Sequence, residues 1–478
     1  MRERHKSYAL INIIYRRPSE KAGAGRILYN MKDFESVKRS LRELISIESV
    51  KAEPLPGMPY GEGCYRALDY YLNLGKSMGF ETKMLDGYAG HIEWGGGDRL
   101  FGVLVHTDVV PPGRDWTVPP FSGVEKDGRM YGRGTSDDKG PAIAALYALK
   151  RLKDEGFVPD RRVRIIAGSD EESGWSCIEH YFAREEMPGE GFSPDGDFPV
   201  INCEKGVLHL NLKYPYFDNY GMNTQGKSFL GFTPQSDSFR LVSLTSGERV
   251  NMVPDRAEAV YFGNPVEGAK AQPDGSYKLT CTGVSAHGSK PYEGDSALKK
   301  LFAALCFVTD NPVLHFIAET LLAGDHGAGL GLDISDDVSG ALTLNAGTCA
   351  FDGEHVTLGV DIRFPVTYTQ EFVLGKLAEN SRAEVSIKTY HRPLYVPEDT
   401  PLVQKLLDAW HVVTGREKKC YAVGGATYSR ALDCAVAFGP EFPGTPPTLH
   451  KADENVLLSE LETMCDIYYE ALKRCLKD

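Results

Sequence analysis

No stretch of this 478-residue chain approaches the ~18 consecutive apolar residues of a membrane span, so no membrane role is expected. No two of its ten cysteines form a Cys-x-x-Cys pair. Scattered singly over so long a chain, they read as reduced thiols and small core filler in a cytoplasmic protein, not as a disulfide framework. A basic excess is missing as well. The formal net charge is -13, which argues against a nucleic acid partner. The one basic stretch is residues 1–30, with Arg2, Arg4, Lys6, Arg16, Arg17, Lys21 and Arg26. Its apolar patch at residues 10–15 is short and has no convincing small-residue cleavage site behind it, so it is read as a disordered extension and not as a signal peptide. No internal repeat is visible.

A hydrophobic content of 42% and a charged content of 25% are those of a water-soluble globular protein, and the length makes two domains the natural expectation. The folded part is expected to begin near Met31, with Asp33 capping a helix through Phe34, Val37, Leu41, Leu44 and Ile45. A second helical pattern spans residues 65–80, and two short strands flank Gly87. Residues 100–105 and 163–167 are strand-length apolar runs separated by a helical pattern with Ile143, Leu146, Leu149 and Leu152 on its apolar face. That alternation predicts a largely parallel sheet covered on both faces. After Gly206 the texture changes. Alternating segments at 207–212, 257–262 and 277–282 predict antiparallel strands, a helix follows over 296–308, and another strand pair is expected around 341–344 and 355–364. Helical patterns return past Thr400-Pro401 and close the chain.

Three consecutive carboxylates, Asp170-Glu171-Glu172, stand at the exit of the 163–167 run. A solvated acidic loop would tolerate them. A metal site is the alternative, since ionised carboxylates crowd together only where something offsets their repulsion. His106, Asp137, Asp195 and His450 are further metal-type residues, and the first two stand beside an expected strand end and helix start. Ligands of open α/β sheets bind beyond the carboxyl ends of strands, and His nitrogen with carboxylate oxygen suits zinc-like ions. Each residue alone has an ordinary reading: Asp137 can cap the next helix, Asp195 can be a turn residue in Pro194-Asp195-Gly196-Asp197, and a lone His can be structural. Independent structural roles rarely put so many metal-type residues at one kind of position. Asp108 can hydrogen-bond the second nitrogen of His106 and fix its ring. Asp137 and Asp138 are poor candidates for magnesium-dependent phosphoryl transfer, because no phosphate-cradling loop with a suitable lysine accompanies them.

These residues carry a family resemblance. Val105-His106-Thr107-Asp108-Val109-Val110-Pro111, the segment 132–141, Asp170 to Gly174, the segment 193–199 and Leu449 to Glu454 resemble the motifs of the M20 metallopeptidases, and within them the PepV-type bacterial dipeptidases. Gly283-Val284-Ser285-Ala286-His287-Gly288-Ser289 and Val360-Asp361-Ile362-Arg363-Phe364-Pro365 look like that family's lid histidine and lid arginine motifs. The resemblance runs from about Met31 to the C-terminus. It implies an α/β protein of two domains: a catalytic α/β domain with a mixed, mostly parallel sheet, from residues 31–207 and 393–478, and an inserted α+β lid over 208–392.

By carry-over, the resemblance implies that His106, Asp137, Glu172, Asp195 and His450 bind two divalent ions with Asp137 between them. Zinc is the first choice, with manganese or cobalt as alternatives. Glu171 would be the general base acting on a bridging water, with Asp108 behind His106. His287 would stabilise the intermediate, and Arg363 would hold the substrate carboxylate. Asn251, Gly424, Gly425 and Thr427 resemble further substrate contacts, although a turn asparagine and a glycine-rich loop are common without one. The implied function is hydrolysis of small peptides, foremost dipeptides, by a monomer. An N-acyl amino acid deacylase of the same family and a non-catalytic peptide-binding protein on the same scaffold are the competing readings. The second would be expected to have lost Glu171 or a ligand, and all are present.

Overall fold

The computed structural model describes residues 31–216 and 239–477; the expected extension at 1–30 lies outside them. The first described helix is Met31–Ile45, so Asp33 is its third residue and not its cap. Val37, Leu41, Leu44 and Ile45 are all fully buried, which is why the apolar spacing reads so clearly.

Two large sheets organise the described residues. The first has nine strands. In spatial order eight of them are Glu81–Leu85, Ala89–Trp94, Arg162–Gly168, Leu100–His106, Glu190–Ser193, Ala435–Ala437, Val200–Glu204 and Leu394–Tyr395, and Cys420–Val423 pairs with Val200–Glu204 off that path. Pairing is parallel through the centre, from Arg162–Gly168 to Ala435–Ala437. It is antiparallel at the Glu81–Leu85 flank and where Val200–Glu204 meets Ala435–Ala437 and Leu394–Tyr395. The sheet is therefore mixed, with its parallel part concentrated where the metal-type residues lie. Leu100–His106 is buried at every residue, as a central parallel strand covered on both faces must be. Helices Lys139–Asp154 and Leu458–Cys475 pack against each other, and residues from 37 to 476 share one apolar core. The C-terminal tail thus completes the first sheet and its helical cover.

The second sheet has eight strands and is antiparallel throughout: Lys270–Ala271, Tyr277–Thr282, Arg256–Phe262, Arg240–Ser246, Thr343–Phe351, His355–Phe364, Gly206–Pro215 and Glu384–His391. Burial alternates along most of Gly206–Pro215, the signature of a sheet covered on one face. Helices Ala297–Cys306 and Pro312–Thr320 supply that cover and share a separate core with it. The expected helix over 296–308 forms at Ala297–Cys306, and the side chain of Ser296 caps it by accepting from the Lys299 amide. Among the described residues no helix is long and apolar enough to cross a membrane.

Candidate metal centre

Three adjacent parallel strands, Arg162–Gly168, Leu100–His106 and Glu190–Ser193, end at the same edge of the first sheet. His106 is the last residue of one, Glu171 and Glu172 follow the second, and Asp195 follows the third. The topology alone therefore sets them side by side. Asp137 comes from the loop before helix Lys139–Asp154, whose cap position is Asp138. Asp137 is not a helix cap, so the ordinary reading of that residue does not hold. His450 arrives from the C-terminal loop with φ at 60°, a left-handed turn that aims its ring back at the sheet.

These six residues form two trios. One ligand atom each from His106, Glu171 and Asp195 lie within 4.8 Å of one another, and so do atoms from Asp137, Glu172 and His450. Asp137 faces both histidines: Oδ1 is 2.9 Å from His106 Nε2 and Oδ2 is 2.8 Å from His450 Nε2. His450 Nε2 is also 3.2 Å from Glu172 Oε1.

The surroundings hold the donors in place. His106 Nδ1 lies 3.0 Å from the backbone carbonyl of Asp108, while the nearest Asp108 carboxylate oxygen is 3.6 Å away. The carboxylate instead accepts the amides of Glu171 (3.2 Å) and Glu172 (3.1 Å). Asp108 thus orients the histidine through its main chain and the glutamate pair through its side chain. Asp170 is removed from the cluster: it accepts from Lys51 Nζ (2.6 Å) and the Ser176 hydroxyl (2.8 Å).

Some residues that shape the site carry no local signal. Glu454 is buried, pairs with Arg133, and accepts the amides of Gly134 (3.1 Å), Ser136 (2.9 Å) and Asp137 (3.3 Å) on one oxygen. It stands at the end of the stretch Leu449 to Glu454, but nothing in that spacing says which loop it grips. Gly134 has φ at 94°, and an added Cβ would lie 2.8 Å from the Lys139 side chain, so glycine is required there. Lys139 is itself buried and donates to the carbonyls of Leu44 (3.1 Å) and Ile47 (2.8 Å) at the end of the first helix. Burial pushes its pKa down to about 7. Asp138 accepts the His106 amide at 3.0 Å. The Trp175 indole donates to Glu171 Oε1 at 3.1 Å.

So much acid in one place is costly without a cation. Burial first, then Asp195, pushes the Glu171 carboxyl well above the usual range. Burial and Asp137 push Glu172 up to about 6 and Asp195 up to about 7. For Asp137, burial opposes ionisation, but the hydrogen bonds from His106 and His450 outweigh it and hold its pKa down. His450 is in turn pushed up to about 11 by Asp137 and Glu172. Protons thus supply the positive charge that the cluster otherwise lacks. A divalent cation supplies it while leaving the donors deprotonated. Two imidazoles with four carboxylates are a nitrogen–oxygen donor set suited to such an ion, and the residues present fit one.

The remaining sequence candidates lie at the second sheet and the loop facing it. His287 is exposed. Its Nδ1 accepts the Ser289 amide at 3.2 Å, and an added Cβ on Gly424 would lie 2.7 Å from that of Ser289. Arg363 binds Asp361 through Nε (2.7 Å) and Nη2 (2.9 Å) and donates from Nη1 to the Gly424 carbonyl (2.7 Å). One edge of its fork is therefore already engaged. Asn251 sits on a turn whose carbonyl accepts the Gly288 amide. The Gly425 carbonyl accepts from Arg430, and the Thr427 hydroxyl donates to Glu204 at 2.7 Å, so that side chain is committed to a buried network. Three other histidines have structural settings: His180 beside Asp86 and stacked on Tyr88, His209 facing Asp361, and His391 against Trp175.

A family model described as peptidase family M20/M25/M40 matches residues 102–474 and so takes in the whole cluster. The chain belongs to this family. That membership makes it a peptide-bond hydrolase of a metallopeptidase family. Among the relatives of this M20 chain is a Bacillus subtilis protein named "Putative dipeptidase YtjP", 40% identical over 461 residues, with 92% of this chain and 96% of that one covered. A Staphylococcus aureus protein with the same kind of name is 35% identical over 467 residues at the same coverages. Solved structures of similar fold include an aminoacylhistidine dipeptidase from Vibrio alginolyticus (TM-score 0.57, 14% identity, 92% of this chain and 96% of that one) and an M20 metallo-carboxypeptidase from Sulfolobus solfataricus (TM-score 0.56, 16% identity, 91% and 98%). At such identities they speak for the fold of this M20 chain alone.

Proposed function

We propose that this M20 chain is a dinuclear metallo-dipeptidase. Residues 31–207 and 393–478 form its catalytic unit, and 208–392 form a lid acting within the same chain, as a monomer whose mass sedimentation can check. The observation that carries the reading is Asp137: each of its carboxylate oxygens points at a different histidine, with Glu172 on the His450 side and Asp195 on the His106 side. His106, Asp137, Glu172, Asp195 and His450 hold two ions, zinc first among the candidates. When bound, the ions lower the pKa of a water and polarise the scissile carbonyl.

Glu171 moves the proton. Trp175 occupies one of its oxygens, which leaves the other to take a proton from the attacking water and return it to the leaving amine. Burial first, then the neighbouring Asp195, raises its affinity for a proton, which suits a group that must take one up. His287 serves as a neutral donor. Its Nδ1 accepts an amide, so the ring proton resides on Nε2, and desolvation with the nearby Arg363 guanidinium lowers its pKa. That N–H is suited to the oxyanion of the tetrahedral intermediate. Arg363, with Asp361 fixing its plane, presents its remaining N–H groups to the substrate carboxylate beside residues 424–425. Asn251 adds a polar contact from the lid.

The test is a panel of dipeptides and N-acyl amino acids assayed with metal-stripped protein, before and after restoring zinc, manganese or cobalt. Metal-restored hydrolysis of dipeptides is expected. Cleavage of the acylated amino acids alone would move the assignment to a deacylase, and cleavage of neither class would overturn the enzyme reading.

A further inference from the structure

Among the described residues the chain passes between the two sheets twice. Lys205 separates Val200–Glu204 from Gly206–Pro215, and Arg392 with Pro393 separates Glu384–His391 from Leu394–Tyr395. One side chain reaches both crossings. Arg430, on the short turn Tyr428–Ala431, donates from Nη1 to the Arg392 carbonyl (2.8 Å) and from Nη2 to the Lys205 carbonyl (2.6 Å). Nη2 also donates to the Gly425 carbonyl, and Nε donates to Glu204. Glu204 is the last residue of its strand. It accepts the Thr427 amide (3.2 Å), the Thr427 hydroxyl (2.7 Å) and the Ser429 hydroxyl (2.9 Å) as well. The Arg430 and Glu204 side chains are 1% and 0% exposed. Arg392 returns the contact, donating to the carbonyls of Arg430 (2.9 Å) and Leu432 (2.7 Å), and the Lys205 amide donates to the Val423 carbonyl (3.0 Å).

A buried ion pair is a poor way to gain stability, since apolar residues of the same volume often do as well. Its use here is geometric. A planar guanidinium with its donors in a fixed fork can hold three carbonyls and a carboxylate at set angles, which a lysine ammonium on a flexible stem cannot. The carbonyls it holds belong to both crossings and to the loop that meets Arg363 and Ser289 from the other sheet. We infer that Arg430 and Glu204 are the hinge anchor of the lid. They set the chain direction at both crossings and carry residues 424–427, so that Arg363 and His287 meet the metal centre in register. Both are positioning residues and touch no substrate. This inference rests on the roles proposed above for Arg363 and His287.

The test compares full-length wild type with Arg430→Lys by three readouts: metal content, backbone hydrogen exchange, and kinetics on the dipeptide that the wild type cleaves best. Unchanged metal content is expected, with faster exchange at residues 205 and 423–428 but not at 134–137. KM should rise about tenfold as Arg363 loses its setting, and kcat should fall as His287 is displaced from the oxyanion. Unaltered exchange at 205 and 423–428, or an unaltered KM, in a folded variant overturns the anchor. Should Arg430→Lys fail to fold, Arg392→Lys is read in the same way. That side chain is 44% exposed, and unaltered exchange there is equally fatal. Exchange needs no turnover, so an inactive wild type would count against the dipeptidase reading and leave the anchor to be judged on its own.

Discussion

Glu171 and Glu172 are neighbours in the chain, and Asp108 accepts both their amides, yet their side chains part. Glu171 turns toward His106, Asp195 and the Trp175 indole, while Glu172 turns toward Asp137 and His450. Two adjacent carboxylates at a strand exit can thus serve different ends, one as a ligand and one as a carrier of a proton. The division is testable with a single atom exchange. Glu171→Gln keeps the volume and the hydrogen bond to Trp175 but cannot take up a proton. Turnover is expected to fall roughly 10²–10⁴-fold with metal content unchanged. A variant that turns over near the wild-type rate would show that another group is the base. One that loses metal would show that Glu171 is a ligand, a role its place in the His106–Asp195 trio makes the real competitor.

At the scale of elements, the loop before helix Lys139–Asp154 is held from outside. Its amides at Gly134, Ser136 and Asp137 converge on Glu454, whose other oxygen meets Arg133. Glu454→Ala would leave a buried guanidinium unpaired and three amides without their acceptor. The expected cost is about 3–5 kcal/mol of stability, with metal affinity falling roughly 10–100-fold. Denaturation and zinc titration read the two effects, and full metal affinity in a folded variant would mean that the loop holds its own shape. The case also shows what could be read beforehand. The strands expected at 100–105 and 163–167, and the gathering of metal-type residues at their ends, were legible because apolar runs and strand-end chemistry are local signals. So was the helix expected over 296–308, which forms at Ala297–Cys306. Glu454 with Gly134, Lys139 with Leu44, and Arg430 with Glu204 join residues 320, 95 and 226 positions apart, and no periodicity carries that information. The same distance in sequence explains Thr427: its glycine-rich context suggested a substrate contact, and only the fold shows Glu204 waiting beneath it.

For the molecule as a whole, acid stability can be separated from the metal centre through His91. This residue lies in Ala89–Trp94, buried, with Nδ1 2.8 Å from the Tyr181 hydroxyl, and Arg164 on the adjoining strand donates to the same hydroxyl. Burial first, then the Arg164 charge, lowers its pKa to about 4. An unfolded histidine titrates near 6.5. Below that value the unfolded chain takes up a proton that the folded one refuses. The contribution of a neutral His91 is therefore complete above about pH 6.5 and drains away as the pH falls toward 4, by roughly 2–3 kcal/mol at pH 4.5. All four tryptophans, Trp94, Trp116, Trp175 and Trp410, lie outside the second sheet, so their fluorescence follows unfolding of the first. Denaturation of wild type and His91→Gln at pH 7 and pH 4.5, with chelator throughout so that metal release adds nothing, isolates the effect. The variant is expected to start less stable and to lose less between the two pH values. Equal losses in the two proteins would mean that His91 titrates freely in the folded state, and that acid sensitivity arises among the carboxylates of the metal centre instead.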